Sequence, residues 1–190
     1  LRVDIRGRAA HASKPHLGVN AFEAMMKITS KLWEEREKLS KKISSYPSLE
    51  GEETPTINIG GMCSSGYAVN IVPDRASFTI DRRLIPEEDM KNVEKTLRNL
   101  IKEEAKKLGV EVKVEALLRA ESAEVSKDEY ICTVLSRNIA EVLGRYPKFT
   151  LCPGFLDIRH FIKAGIPCIC YGPGKLKTAH TANEYIERKD

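Results

Sequence analysis

Five polar residues, widely spaced along this sequence, have side chains suited to chemistry: His11, Asn70, Arg83, Arg159 and His180. An imidazole N–H stabilises negative charge that develops on an oxygen during a reaction, and a neutral imidazole also binds metal ions. A guanidinium binds a carboxylate through two parallel hydrogen bonds, and a nearby amide orients it. The spacing of these residues alone does not separate such chemistry from ordinary surface positions.

Each candidate also has an ordinary structural explanation. His11 fits a hydrogen-bonded surface histidine at the end of a strand, and His180 fits a histidine in a polar loop. Arg83 lies on the strand face opposite the apolar one, which fits a solvated charge, and the adjacent Arg82 is its rival for any binding role. Asp157 fits a helix N-cap. The elements that position these residues therefore matter more than the residues taken singly.

The first 117 residues have the pattern of one small domain. Leu1, Val3 and Ile5 alternate with charged residues, as in a strand with one buried face. A helix is predicted after the turn at 18–20, and a second from Pro86 to Gly109, since acidic residues suit a first helical turn and glycine a helix end. Three more strands are predicted at 56–62, 75–84 and 110–115. The resulting β-α-β-β-α-β order predicts an α+β, ferredoxin-like domain, a four-stranded antiparallel sheet with two helices on one face.

Residues 118–190 have a different pattern, of the α/β kind. The sequence predicts helices at 128–144 and 156–164 and strands at 148–152 and 166–171, the second strand having the apolar composition of a sheet covered on both faces. This segment is too short to be stable alone. Because the chain also opens at Leu1 in a strand pattern and closes at Asp190 without a cap, we expect it to be a piece of a longer protein, with a boundary near residue 117.

Composition excludes several classes of protein. Lys and Arg exceed Asp and Glu by 31 to 27 and are spread along the chain, which argues against nucleic-acid binding. No apolar run approaches the roughly 20 residues that cross a bilayer, and the first residues do not resemble a signal peptide. Five cysteines without a CxxC pair indicate buried reduced thiols. The sequence therefore predicts a cytoplasmic protein without a membrane or nucleic-acid partner.

Four segments together resemble the M20 family of metallopeptidases and deacylases. They are GRAAHASKPHLGVNA at 7–21, AVNIVPDRASFTIDRRLIPEED at 68–89, GFLDIRHFIKAGIPCICYGPG at 154–174 and AHTANEYI at 179–186. Their order and spacing match the family's dimerisation, or lid, domain followed by the C-terminal end of its zinc-peptidase catalytic domain. The branch they most resemble contains acetylornithine deacetylase, succinyl-diaminopimelate desuccinylase and related carboxypeptidases.

The resemblance implies a role for each candidate residue. His11 matches a histidine that reaches into the other subunit's active site and stabilises the oxyanion of the tetrahedral intermediate. Asn70 and Arg83 match residues that hold the substrate carboxylate, and the family's Asp-x-Arg pattern favours Arg83 over its neighbour. Arg159 matches an arginine at the substrate's carboxylate end, and His180 matches a ligand of the second zinc. A homodimer acting on N-acyl amino acids or peptides, with two zinc ions per site (cobalt is an alternative), is thus implied.

The sequence also departs from the family. Phe155 and Leu156 stand where members usually carry small or hydroxylic residues, which changes the expected pocket floor. The HxD segment and the glutamate general base of the family do not occur in this chain, and the Glu52-Glu53 pair lies in the wrong context. We therefore expect the chain alone to be inactive.

Two readings from other classes compete with the enzyme. One is a non-catalytic dimerisation or small-molecule-binding module with a ferredoxin-like fold. The other is an RNA-binding domain of the same fold, which the lack of surface aromatics on the strands disfavours.

Overall fold

The computed structural model describes residues 1–48, 51, 53–152, 154–174, 178 and 181–188. The chain divides into two units: one combines Leu1–Ser122 with Thr150–Cys152, and the other combines Ala123–Phe149 with Pro153–Asp190. The first unit contains β1 (Arg2–Arg6), α1 (Ala21–Leu39), β2 (Thr56–Ser65), β3 (Arg75–Arg83), α2 (Met90–Lys107) and β4 (Glu111–Glu115). The second contains α3 (Tyr130–Leu143) and α4 (Ile158–Lys163).

The four strands form one antiparallel sheet in the order β2-β3-β1-β4. In the central pair, Arg2 lies opposite Thr79 and Arg6 lies opposite Arg75. The predicted β-α-β-β-α-β arrangement with both helices on one face is confirmed. β2 and β4 are the edge strands, and β2 contains an irregularity between Ile59 and Cys63.

Alternate residues of the sheet fill the core. Val3 and Ile5 of β1 and Phe78 of β3 are at most 1% exposed and pack with Ile28 of α1 and Ile101 of α2 in one apolar cluster. The alternate apolar side chains of the strands and the apolar faces of α1 and α2 thus form a single core layer between the sheet and the helices.

The two helices of the first unit begin at side-chain caps. Asn20 Oδ1 accepts hydrogen bonds from the amides of Phe22 (3.0 Å) and Glu23 (3.2 Å), and the Asp89 carboxylate accepts one from the Asn92 amide at 2.7 Å. The prediction that the second helix starts at Pro86 is therefore wrong. Residues 86–88 form a turn before the Asp89 cap.

Glu87 and Glu88 make long-range contacts instead of capping α2. The Glu87 carboxylate accepts hydrogen bonds from the Ser45 amide (2.7 Å), the Ser45 hydroxyl (2.8 Å) and the Ser44 hydroxyl (3.1 Å). Glu88 pairs with Arg82. These contacts tie the loop after α1 to the turn before α2, which explains why the acidic run does not form the first helical turn.

Beyond residue 122, the helices agree with the prediction and the strands do not. Cys132 and Ile139 are the buried residues of α3, which ends at Gly144 with a φ of +67°. The predicted strands at 148–152 and 166–171 are not formed, although the structure describes both ranges. A strand requires a hydrogen-bonded neighbour. Residues 150–152 belong to the first unit, where the Leu151 amide donates to the Pro47 carbonyl oxygen at 2.7 Å without forming a ladder. Residues 166–171 have no strand neighbour in the described part of the second unit.

Cysteine placement corrects one prediction. All five cysteines are free thiols, but only Cys132 is buried, and Cys63 and Cys170 are exposed. Burial raises the pKa of the Cys132 thiol, with a smaller contribution from the charge of Glu129. Among the described residues, no helix is both long enough and apolar enough to span a bilayer.

Candidate functional site

His11 lies in a loop that extends beyond the end of β1 and is bridged to the segment before β3. Residue His11 forms an antiparallel bridge with Ile71. The Ala12 amide donates to the Asn70 carbonyl oxygen at 3.0 Å, and the Val72 amide donates to the Ala10 carbonyl oxygen at 2.8 Å. Two of the candidate residues, His11 and Asn70, are therefore brought together although 59 positions apart in the numbering.

A glycine permits this loop to close on itself. The Gly7 amide donates to the Asp74 carbonyl oxygen at 2.8 Å, and the next residue, Arg8, is bridged to Val19. A Cβ atom on Gly7 would lie 2.1 Å from the Val19 carbonyl oxygen. Because that neighbour is backbone, any larger residue at position 7 would push the chain away from Val19 and open the loop that carries His11.

The His11 side chain is exposed and bonded to Ser13. Its Nδ1 accepts a hydrogen bond from the Ser13 amide at 3.1 Å and lies 2.8 Å from the Ser13 hydroxyl oxygen. The Lys14 amide donates to the His11 carbonyl oxygen at 2.8 Å, so residues 11–14 form a tight turn. Nε2 is left as the ring nitrogen that projects beyond this turn. The sequence pattern does not single out Ser13. Its position two residues after a histidine is the feature that fits a contact between the two side chains.

Arg83 lies at the other end of the sheet. β3 begins at Arg75, beside the His11 loop, and ends at Arg83, eight residues later, which is about 26 Å in a strand. His11, Asn70 and Arg83 therefore do not meet within one chain. The three residues occupy two opposite ends, because a strand of this length separates them.

The two adjacent arginines have different surroundings. Arg82 NH2 contacts both Glu88 carboxylate oxygens at 2.7 and 2.8 Å, and these side chains are 8% and 7% exposed. Arg83 points to the open face, is 54% exposed, and contacts Asp81 at 2.8 Å. A ligand can therefore reach Arg83, whereas the Arg82 side chain is buried in its ion pair with Glu88.

The end of the open face nearest His11 is positively charged. Arg6 and Arg75 lie directly opposite each other on neighbouring strands, and neither has an ion pair within the described part of the chain. They help to line a groove of about 630 Å³ on the open face. Its charged lining consists of four basic residues and two acidic ones, of which Glu111 lies opposite Arg6 on β4, so the balance is positive: Arg2, Arg6, Arg75, Lys113, Asp4 and Glu111. Like charges at opposed positions cost stability, while a positive groove attracts anionic ligands.

The Arg159 side chain, in the second unit, contacts the residues that immediately precede α4. Its guanidinium donates to the Leu156 carbonyl oxygen at 2.6 Å, contacts the Asp157 carboxylate at 3.3 Å and lies 3.8 Å from the centre of the Phe155 ring. Asp157 precedes α4 but its side chain makes no capping hydrogen bond. Phe155, one of the two departures from the family pattern, therefore supplies a cation–π surface for Arg159.

His180, the predicted metal ligand, lies outside the described residues. Within the described ranges, no three side chains of His, Cys, Asp or Glu come close enough to bind a metal ion. The described residues therefore do not form a metal site by themselves.

Residues 1–109 match the sequence profile of the peptidase dimerisation domain of the M20 family. The chain belongs to the M20 peptidase family. Its sequence is 25% identical to the acetylornithine deacetylase of Myxococcus xanthus over 99% of this chain and 47% of that protein. It is also 25% identical to the "probable succinyl-diaminopimelate desuccinylase" of Staphylococcus aureus, over 98% of this chain and 50% of that protein.

Solved M20 structures agree in fold. The aminopeptidase PepT of Bacillus cereus aligns with a TM-score of 0.58 and 27% identity, covering 87% of this chain and 40% of that one. A tripeptidase of Staphylococcus aureus aligns with a TM-score of 0.63 at 24% identity over the same shares, which supports the fold alone. The chain thus spans about half the length of the M20 relatives that it matches.

Proposed function

We propose that this chain supplies the dimerisation domain (residues 1–117) and the C-terminal part of the catalytic domain (residues 118–190) of a zinc-dependent M20 amidohydrolase. The reaction is hydrolysis of an N-acyl amino acid or peptide amide bond next to a carboxylate. The observation that carries the proposal is the bridge that joins the His11 loop to the Asn70 segment, in a chain whose first 109 residues match the family. The hydrolase names of the relatives favour this enzyme over a non-catalytic module.

Two further observations support the substrate class and location. The positive end of the open face, with Arg6 opposite Arg75, suits a substrate that carries a carboxylate. All five cysteines are free thiols, which suits the reducing cytoplasm.

The dimer interface that we propose combines the edge of β2 with one flank of α1. Phe22, Met26 and Trp33 form a stripe on α1 and are 41%, 48% and 55% exposed. The pKa of Lys31 is raised, first by its hydrogen bond to Glu34 and also by the charge of Glu104 on α2, so the Lys31 flank faces α2. The apolar stripe lies on the opposite flank, towards the unpaired edge strand β2.

A second copy of the chain fits this surface. Antiparallel pairing of two β2 edges about a two-fold axis perpendicular to the sheet keeps both helix layers on the same side. The apolar stripe of α1 then meets the same stripe of the partner, and two four-stranded sheets become one. Light scattering is expected to give twice the mass of the 190-residue chain at micromolar concentration. Trp33→Glu, which introduces a charge into the stripe, is expected to weaken the dimer, whereas a persistent monomer of the unaltered chain would contradict the interface.

This pairing also resolves the separation of the candidate residues. Antiparallel symmetry reverses the partner's sheet, so Arg83 of one subunit comes to the same end as the partner's His11 and the partner's Asn70. Two β3 strands would then be three strand spacings apart, about 14 Å. A site built across the interface therefore needs one subunit for the arginine and the other for the histidine and asparagine.

Arg83 and His11 are expected to have different kinetic roles in the complete enzyme. By the complete enzyme we mean this chain joined to the family's metal-binding segment. Arg83 holds the substrate carboxylate in both ground and transition states, so Arg83→Ala should act mainly on KM and cost about 2–4 kcal/mol in kcat/KM. His11 contacts an oxyanion that exists only beyond the ground state. His11→Ala should therefore lower kcat by about 10²- to 10³-fold with KM little changed.

Mixing the two variants tests the arrangement directly. In a heterodimer of His11→Ala and Arg83→Ala subunits, one composite site has both residues intact and the other has neither. After random exchange, activity should recover to about one quarter of wild type. No recovery despite subunit exchange proven by mass spectrometry would overturn the shared site. Mixing two preparations of His11→Ala is the matched control, which should recover nothing.

The metal proposal rests on His180 and residues outside this chain. A single histidine binds zinc weakly because ligands act together. The chain purified without chelator should therefore contain far less than one zinc per subunit, while His180→Ala in the complete enzyme should lose metal and activity together. Stoichiometric zinc in the 190-residue chain that disappears on His180→Ala, measured by elemental analysis, would contradict this assignment.

A further inference from the structure

Two donors of one residue converge on a single nitrogen of His11. The Ser13 amide is 3.1 Å from Nδ1, and the Ser13 hydroxyl oxygen is 2.8 Å from the same atom. An amide N–H can only donate, so Nδ1 must present its lone pair to it. In a neutral imidazole one ring nitrogen is a donor and the other an acceptor. The proton of the neutral ring therefore belongs on Nε2.

We propose that Ser13 is a positioning residue that holds neutral His11 in the tautomer protonated at Nε2, with that N–H aimed away from the loop. The role in catalysis rests on the proposed function, in which the partner subunit's site receives His11. The tautomer itself depends only on the contacts within this loop.

The tautomer decides whether His11 stabilises or opposes the reaction. With the proton on Nε2, the projecting nitrogen donates a hydrogen bond to an oxyanion. With the proton on Nδ1, the same nitrogen would present a lone pair to negative charge and would be repulsive. A free imidazole in water exchanges between the two forms, so without Ser13 part of the population would hold the wrong one.

The local sequence explains how the ring is held. His11 is the first residue of a turn closed by the Lys14 amide on the His11 carbonyl oxygen at 2.8 Å. The imidazole reaches forward to the amide two residues on, as Asn and Asp side chains do in turns. Pro15 follows and begins a short 3-10 turn that ends at Leu17, and its fixed φ limits the conformations of the loop. Ser13 therefore meets Nδ1 through backbone geometry as well as through its own hydroxyl.

A long-range proton–nitrogen correlation spectrum of the labelled 190-residue chain measures the tautomer of each histidine. The chain has four histidines, which His→Gln variants assign one at a time. At a pH of about 8.5, two units above the usual histidine pKa, His11 should have a protonated Nε2 and a hydrogen-bonded, unprotonated Nδ1. His16, exposed and without a hydrogen-bond partner among the described residues, is the matched control and should average both forms. A His11 spectrum like that of His16, or one with Nδ1 protonated, would overturn the proposal.

Substitution of Ser13 separates its hydroxyl from its amide. Ser13→Ala removes one donor and leaves the amide, so the Nδ1 resonance should move towards that of an unbonded nitrogen, and Ser13→Thr should restore it. In the complete enzyme, Ser13→Ala should lower kcat about five-fold with KM unchanged, the equivalent of one ordinary hydrogen bond. Unchanged backbone amide spectra verify that the variants fold.

The two proposals fail in different ways. If His11→Ala leaves kcat unchanged while the Nε2 tautomer is present, the catalytic role is wrong and the positioning by Ser13 stands. If His11→Ala lowers kcat while its neutral ring is a tautomer mixture, the positioning role is wrong and the catalytic role stands.

Discussion

The two faces of β3 differ in almost every property that matters to function. On the helix side, Ala76, Phe78 and Ile80 are at most 4% exposed and belong to the core. On the open side, Ser77 and Asp81 are accessible, and Asp81 pairs with a solvated arginine. Because successive strand residues point to opposite faces, one strand carries stability on one side and leaves the other free for ligand contacts. Stability and activity are therefore expected to respond to different, adjacent residues.

The largest contrast is expected between Phe78 and Ser77. Phe78 is 1% exposed at the centre of the core, and its replacement by Ala should lower the free energy of unfolding by about 3–5 kcal/mol, because the cavity cannot fully collapse. Ser77→Ala removes only an exposed 3.0 Å hydroxyl contact with Ser64 and should cost less than about 1 kcal/mol. Urea unfolding of the 190-residue chain measures both values. Equal costs for the two variants would mean that the faces are not distinct.

A second contrast concerns Arg82 and Arg83. Removing Arg82 leaves the Glu88 carboxylate, itself 7% exposed, without its closest cation, so Arg82→Ala should cost about 3 kcal/mol of stability. Arg83→Ala breaks a surface pair of two half-exposed side chains and should change stability by less than about 1 kcal/mol. Thermal unfolding of both variants is the measurement.

The contrast becomes sharper in the complete enzyme. Arg83→Ala should remain as stable as wild type and lose substrate affinity, so a low Tm for this variant would remove it from the list of binding residues. Lys42 also contacts Glu88, at 3.3 Å. Arg82→Lys therefore serves as the control in which a cation is kept while the two-oxygen contact is lost.

Sequence pattern predicted the first unit well because its elements find their partners within the chain. The alternation of Val3 and Ile5 and the helical spacing of α1 and α2 describe faces that do meet in the structure. The same alternation correctly put Arg83 on the open face. Local pattern predicts a face reliably when the opposing layer belongs to the same segment of sequence.

Prediction failed where long-range partners decide the outcome. The strand expected at 166–171 has suitable composition but no neighbour to pair with among the described residues. The start of α2 was misjudged because Glu87 and Glu88 are used by Ser45 and Arg82. Likewise, the alternation of residues in β3 does not show how far Arg83 lies from the His11 loop, because that distance depends on where the loop joins the sheet.

An effect smaller than those of Phe78→Ala and Arg82→Ala is expected on α2, where a partly exposed carboxylate links the helix to the chain after β4. Glu94 is 16% exposed and accepts hydrogen bonds from Arg119 at 2.6 and 2.8 Å and from Arg98 at 2.7 Å. Arg119 first, and then Arg98, lower the pKa of Glu94 to about 2. Since the folded pKa lies below the unfolded value, the stabilisation is present above about pH 4.5 and is lost as the pH falls towards 2. Because Arg119 is 54% exposed, solvent reduces the gain, and we expect about 1–2 kcal/mol.

Glu94→Gln should therefore be less stable than wild type by that amount at pH 7 and nearly equal to it at pH 2, as measured by urea unfolding across this range. Glu103→Gln, on the exposed side of the same helix, should keep the wild-type slope. An unaltered slope in Glu94→Gln would mean that the contacts of Glu94 with Arg119 and Arg98 do not stabilise the fold.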